Sequence, residues 1–131
     1  MKISEVNIII MEEKVSRRST DDKEWQETKR LAHIRDKNMC VLCRLLTPVE
    51  YAKFQQSRPL MPMLIEVAHI ESVASHVEKV YDLDNVVCLC HAMHDRLDRM
   101  QDPVTGKNIS KSVQLGWWQR IVEGRDRLTS S

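Results

Sequence analysis

The sequence predicts an α+β fold with a small ββα core and flanking helices. Two short apolar runs rich in β-branched residues, Leu64–Ile70 and Asn85–Leu89, are typical of strands. A helical pattern of apolar residues follows at once, from about His91 to Met100. The chain of 131 residues is long enough for one buried core and too short for two. We therefore expect the ββα core over about 63–100.

Composition indicates one ordinary globular domain at 20–131, preceded by an N-terminal strand or arm at 1–19. Hydrophobic residues make up 42% and charged residues 30%, which argues against disorder, collagen-like repeats and coiled coils. No apolar run approaches the roughly 20 residues that span a bilayer, so we expect no membrane association and a cytoplasmic protein. The net charge is +1, but basic residues outnumber acidic ones within 14–37 and 96–127, which permits a basic face.

The first flanking helix is predicted from about Thr20 to Lys37. Ser19 and Asp22 have the spacing of a capping box, and the residues that follow recur at helical spacing on one face. These residues are Trp25, Thr28, Leu31, Ala32 and Arg35.

Two more helices are predicted on either side of the core. Thr47–Glu50 combines an N-cap threonine, a proline at the first helical position and a returning glutamate, so a short helix should run to about Gln56. The terminal helix is expected over about 113–124, closed by Gly124. Leu115, Trp118 and Val122 should share its buried side, and of Trp117 and Trp118 we expect one in the core and one half exposed.

The core sequence resembles the HNH endonuclease signature. The resemblance rests on Ile65–Ile70 (IEVAHI), then Asp84–Cys90 (DNVVCLC), then Met93-His94. It extends upstream to residues that look like the helix and first zinc knuckle of phage and restriction HNH proteins, and it covers about 25–98. Those upstream residues are Trp25, Arg30, Arg35-Asp36 and Cys40-x-x-Cys43.

The resemblance implies a role for each residue of the motif. His69 would be the general base that deprotonates the attacking water, a role that suits imidazole. Asn85 would hold the loop or the His69 ring through its amide. His94 would bind a divalent cation, Mg²⁺ or similar, that coordinates the scissile phosphate.

One departure from the family pattern lies beside the base. Many HNH proteins have a metal ligand just before the base histidine, where this chain has Ala68, although one subgroup also has alanine there. His94 and Asp98 lie four residues apart on one helix and could hold the cation instead. The alternative is that Asp98 pairs with an arginine on a solvated face. His76 and His33 are expected to be surface residues, although either could supply a missing ligand.

The second departure concerns structural zinc. Cys40, Cys43 and Cys90 align with three of the four zinc ligands in family members with paired knuckles, but the fourth position is Met93. A thioether is a poor zinc ligand, so a complete site would need His91 or Cys88. The other interpretation is that zinc has been lost and that Met93 packs with the cysteines in an apolar cluster.

The leading functional hypothesis is a metal-dependent endonuclease that cleaves or nicks double-stranded DNA. Arg30, Arg35, Arg96 and Arg99 are the candidate phosphate contacts. Similarity to phage HNH proteins implies a phage packaging machinery among the candidate partners. The alternatives are a non-catalytic DNA-binding or adaptor module with the same fold, and a zinc-ribbon protein unrelated to nucleases.

Overall fold

The computed structural model describes residues 22–60 and 62–130, and the predicted arm at 1–19 lies outside them. In the described part the fold is α+β, as predicted, with a two-stranded sheet surrounded by helices. Two 3-10 turns, Val77–Lys79 and Leu83–Asn85, lie between the strands. The helices and strands, in chain order, are α1 (Lys23–Arg35), α2 (Val41–Leu45), α3 (Pro48–Ser57), β1 (Ile65–His69), β2 (Val86–Cys90), α4 (His91–Asp98) and α5 (Lys111–Ser130).

Strands β1 and β2 form an antiparallel pair that is covered by helices on both faces. Ile65 lies opposite Cys90 and His69 opposite Val86. Because side chains alternate along a strand, Ala68, Val87 and Leu89 face one way and pack with apolar residues of α4 and α5. Val86 and Cys88 face the other way and pack against α1. This double cover explains why every residue of β2 is buried.

Helix α1 is shorter at both ends than the predicted span Thr20–Lys37. Its N-cap is Asp22, whose carboxylate accepts a hydrogen bond from the Trp25 backbone N–H at 3.0 Å. Asp22 is therefore the N-cap itself, and not the N3 residue of a capping box with Ser19 as N-cap. Ser19 lies outside the described range. The helix ends at Arg35 because Lys37 and Asn38 take positive φ angles of 60° and 56°.

Helix α3 confirms the capping box predicted at its start. The Thr47 side chain accepts from the Glu50 N–H, and the Glu50 carboxylate accepts from the Thr47 N–H. The sequence did not predict α2, a single short helix that begins after Cys40 and contains Cys43. One helical turn is too short to produce an apolar period.

Helix α5 is longer than predicted and does not end at Gly124. It runs to Ser130, and Gly124 lies in its interior against Leu45 of α2, where an added Cβ would lie 2.3 Å from Leu45 Cδ1. Glycine is thus needed there for close helix packing and not as a cap. Leu115 is exposed, which corrects its predicted place on the buried side, while Trp118 is buried and Trp117 half-buried. The described helices include none with the length and apolarity to cross a membrane.

Candidate functional site

A cleft opens beside the end of β1, with a volume of about 340 Å³. It brings together His69 from β1, Asp98 from the end of α4 and Lys111 from the start of α5. These elements are distant in the sequence, so the cleft exists only in the folded chain. We call it the cleft below; its remaining lining residues are Ile70, Glu71, Ser72, Ser75, His76, Gln114, Leu115 and Trp118.

The imidazole of His69 is held in a defined orientation. Its ring stacks on Trp25 of α1, with centroids 4.9 Å apart and an interplanar angle of 20°. Its Nε2 lies 3.0 Å from the Val80 carbonyl oxygen. A carbonyl only accepts, so Nε2 carries the proton of this hydrogen bond and the lone pair of the neutral ring lies on Nδ1.

Asn85 organises the loop between the strands. Its Oδ1 accepts from the Glu71 backbone N–H at 2.8 Å, and its Nδ2 donates to the Glu71 and Lys79 carbonyl oxygens at 3.2 and 3.4 Å. The side chain is buried, so these bonds satisfy polar groups that water cannot reach. The sequence predicted that Asn85 holds either the loop or the His69 ring, and these bonds are to the loop. Residues of this loop line the cleft together with His69.

His94 lies between two carboxylates. Its Nδ1 is 2.8 Å from Glu66 Oε1 and its Nε2 is 3.3 Å from Asp98 Oδ2. With Nδ1–H donating to Glu66, the Nε2 lone pair of a neutral ring faces the Asp98 oxygen. Two lone pairs at that distance repel unless a proton or a cation lies between them. A carboxylate that orients a histidine in this way is a common outer-shell arrangement at metal sites.

Glu66 also binds a second histidine. Its Oε2 is 2.7 Å from His91 Nδ1, and this hydrogen bond raises the pKa of His91. No sequence motif marks Glu66 as a site residue. The available signal was strand alternation, because Glu66 shares a face with Ala68 and that face turns towards α4.

Ala68 is buried and offers no ligand, as expected from its side chain. Within residues 22–60 and 62–130, three His, Cys, Asp or Glu side chains come close enough to hold an ion at one place, and all three are cysteines. His94 and Asp98 therefore have no third ligand of these types at the same spacing. Of the two spare histidines, His76 lines the cleft. His33 lies near Cys88 instead, with its Nδ1 3.8 Å from Cys88 Sγ.

Four sulfur atoms meet on the opposite side of the α4 start. Cys40, Cys43 and Cys90 place their Sγ atoms within 4.8 Å of one another and could hold a metal ion. Met93 Sδ lies 3.8 Å from both Cys40 Sγ and Cys43 Sγ. We call these four residues the sulfur cluster. All but Cys43 are buried.

The thiols of the cluster share hydrogen bonds. Bonds from the Cys40 and Cys43 thiols lower the pKa of Cys90, helped by the backbone N–H groups of Ala92 and Met93 at the start of α4. Hydrogen bonds with Cys40 and then Cys90, together with burial, raise the pKa of the Cys43 thiol. Among the three cysteines, Cys90 is thus the one whose surroundings favour the thiolate, the form that binds metal ions.

Neither alternative fourth ligand reaches the cluster. His91 turns towards Glu66 and lines a different cavity, and Cys88 faces α1 next to His33. Met93 therefore occupies the fourth position itself.

The four candidate phosphate-binding arginines fall into two classes. Arg35 and Arg96 are internal: Arg35 donates to the Leu83 and Val86 carbonyl oxygens at 2.7 Å, and Arg96 donates to carbonyls of Ser57, Pro103 and Val104. Arg96 is buried and Arg35 is mostly buried, with its guanidinium also paired to Asp36, so both stabilise the fold, which corrects their assignment as phosphate contacts. Arg30 and Arg99 are exposed, each in a surface ion pair with a carboxylate of its own helix.

Lys111 is a second cleft residue that the sequence did not single out. It lines the cleft and its Nζ donates to Gln114 Oε1 at 2.9 Å. No local pattern links it to His69, because the two meet only through the packing of α5.

No family model, curated protein or solved structure matches this chain.

Proposed function

We propose that this protein is a metal-dependent endonuclease of the HNH type that hydrolyses phosphodiester bonds in DNA. The observation that carries the proposal is the cleft, where a strand-end imidazole and a helix carboxylate line one cavity and that carboxylate pairs with a second imidazole. Of the motif residues that suggested the family, His69 lines the cleft, Asn85 bonds to Glu71 in its wall, and His94 contacts the cleft only through its pair with Asp98.

His69 would act as the general base. Its Nε2 is engaged by the Val80 carbonyl, so Nδ1 is the nitrogen that takes the proton from water. As that proton moves to Nδ1, the water oxygen forms a bond to phosphorus and the 3′ oxygen departs with the electron pair of the broken bond. Stacking on Trp25 keeps the ring from rotating, and a fixed ring lowers the entropy cost of reaching this geometry.

His94 and Asp98 would hold the divalent cation. His94 Nε2 and Asp98 Oδ2 lie 3.3 Å apart, which allows both atoms to bind one cation. A bound cation would also remove the repulsion between their lone pairs. Ions of the Mg²⁺ type keep several waters and accept one or two carboxylates together with phosphate oxygens, so two protein ligands can be enough. When bound, the cation would stabilise the charge on the phosphate and the leaving oxygen.

DNA would lie across the mouth of the cleft. Lys111 inside it, and the exposed Arg30 and Arg99, are the candidate phosphate contacts. Zinc is the ion that the family resemblance implies for the sulfur cluster, where it would tie α2 to the start of α4.

A second function, favoured by one observation, is a DNA-binding or adaptor module without catalysis. Ala68 is in the core at the place where many HNH proteins have a metal ligand, which leaves only two candidate ligands in the described residues. A cation held by two side chains binds weakly, and loss of the cation would leave a binding surface without chemistry.

Plasmid nicking with Mg²⁺, Mn²⁺ or Ni²⁺ tests the proposal. We expect nicking by the native chain, and its loss in His69→Ala and in His94→Ala. The matched control is His91→Ala, which removes the other partner of Glu66 but lines a different cavity, and it should keep most of the activity. Activity that survives both the His69 and the His94 change contradicts the mechanism. Binding of labelled duplex DNA without nicking by the native chain supports the second function.

A further inference from the structure

The sulfur cluster is close in size to a four-sulfur metal site, since its three Sγ atoms lie within 4.8 Å of one another. A tetrahedron with metal–sulfur bonds of about 2.3 Å has sulfur–sulfur edges of about 3.8 Å. Met93 Sδ lies at 3.8 Å from two of the three cysteine sulfurs. The Met93 thioether thus lies at the distance from Cys40 Sγ and Cys43 Sγ that a fourth ligand would have.

The positions of these sulfurs are imposed by rigid elements. Cys90 is the N-cap of α4 and Met93 lies in its first turn, while Cys40 caps α2 and Cys43 lies within it. Cys90 and Met93 are fully buried, so neither side chain has room to turn away. The Met93 thioether therefore lies next to any ion that binds the three cysteines, and the softness of that ion decides whether the thioether becomes a ligand.

A thioether in that position changes which ions fit. Methionine sulfur is neutral and soft, and together with thiolates it favours Cu(I) over harder ions.

The approach to the cluster is itself rich in sulfur. A cavity of about 580 Å³ reaches Cys40 and Cys43 from the surface, and Met39 and Met63 also line it. Both methionines are exposed, at 41% and 38% of their surface. These thioethers place soft ligands at the opening of the cavity that leads to Cys40 and Cys43, which suits a soft cation.

We propose that Cys40, Cys43, Cys90 and Met93 form a binding site for a soft monovalent cation, Cu(I) in chemical class, with the Met93 thioether as a ligand. Each cysteine that binds releases its proton to the buffer, and no electron is transferred. The site lies apart from the cleft, so it can be present whether or not the chain cleaves DNA.

The test uses Ag(I) as an air-stable probe and NMR of the full chain labelled with [methyl-13C]methionine. The chain has seven methionines, and Met93→Leu assigns the signal of interest. On adding one equivalent of Ag(I) to the reduced protein, the Met93 methyl signal should shift in slow exchange, whereas Zn²⁺ should leave it near its place. If none of the native methionine signals shifts with Ag(I), the proposal is overturned without recourse to any variant.

Competition with a chromogenic Cu(I) chelator under anaerobic reducing conditions gives the affinity. Met93→Leu should weaken Cu(I) binding by at least about tenfold, because even outer-shell partners cost about 10- to 100-fold. It should leave Zn²⁺ affinity unchanged, and the matched variant Met93→Cys should raise Zn²⁺ affinity by a similar factor. Equal losses for Cu(I) and Zn²⁺ in Met93→Leu, or no loss of either, would refute the assignment of the thioether as a selective ligand.

Discussion

Replacing Gly124 by alanine tests the packing that holds the sulfur cluster together. The added Cβ would lie 2.3, 2.4 and 2.8 Å from Leu45 Cδ1, Cδ2 and Cγ, so Leu45 or its helix must move. Overpacking of this kind costs about 1–3 kcal/mol. Alanine also gains about 1 kcal/mol over glycine in a helix interior. We therefore expect Gly124→Ala to range from no net change to a loss of about 2 kcal/mol.

Gly116→Ala is the matched control, because it lies in the same helix and its Cβ would meet nothing within 4 Å. Both variants gain the same helix propensity, so the difference between their unfolding free energies isolates the overpacking term of about 1–3 kcal/mol. Urea titrations followed by tryptophan fluorescence, under reducing conditions, measure both. Equal stabilisation by the two changes would contradict the packing described for Gly124.

Three further predictions concern polar residues. Hydrogen bonds from Arg120 lower the pKa of Glu50 from 4.5 to about 2; this lowered value means that the pair stabilises the protein above about pH 4.5 and loses that effect as the pH falls towards 2. At pH 7, Glu50→Gln should therefore have a free energy of unfolding about 1 kcal/mol below that of the native chain, measured by urea titration. At pH 2 the two proteins should have similar stabilities. Arg96→Met should lower the free energy of unfolding by about 1–3 kcal/mol, because buried carbonyls lose their donor. Arg99→Met should change it by less than about 0.5 kcal/mol and should weaken DNA binding. Asn85→Asp would place a carboxylate against two carbonyl oxygens, and faster amide hydrogen exchange in the loop after β1 should report the loss; unchanged exchange would contradict the role of the amide.

Local signals predicted the elements around the core well. The Thr47 capping box predicted the start of α3, and β-branched apolar composition placed β1 within one residue of each end. The motif spacing led to His69, Asn85 and His94, and helical spacing from His94 led to Asp98; His69 and Asp98 line the cleft, Asn85 bonds to Glu71 in its wall, and His94 pairs with Asp98. These features depend on near neighbours in the chain, which is why the sequence carries them.

Tertiary packing determined what the sequence could not predict. Glycine is common at helix ends, but Gly124 lies in a helix interior, where its close contact with Leu45 leaves no room for a side chain. Arg35 and Arg96 have the chemistry of phosphate contacts, yet carbonyl groups from other segments bind them inside the protein. Such assignments depend on partners far away in sequence, which no periodic pattern records.

Helix α4 and its N-cap carry residues of both centres. Cys90 and Met93 belong to the sulfur cluster, Asp98 lines the cleft, and His94, which directly follows Met93, pairs with Asp98. Each residue advances an α-helix by about 100°, so one inserted or deleted residue near Met93 would swing one set out of phase with the other. The helical phase of α4 therefore couples the two centres during evolution: point substitutions can alter either one alone, whereas a change of length in this turn would disable at least one of them.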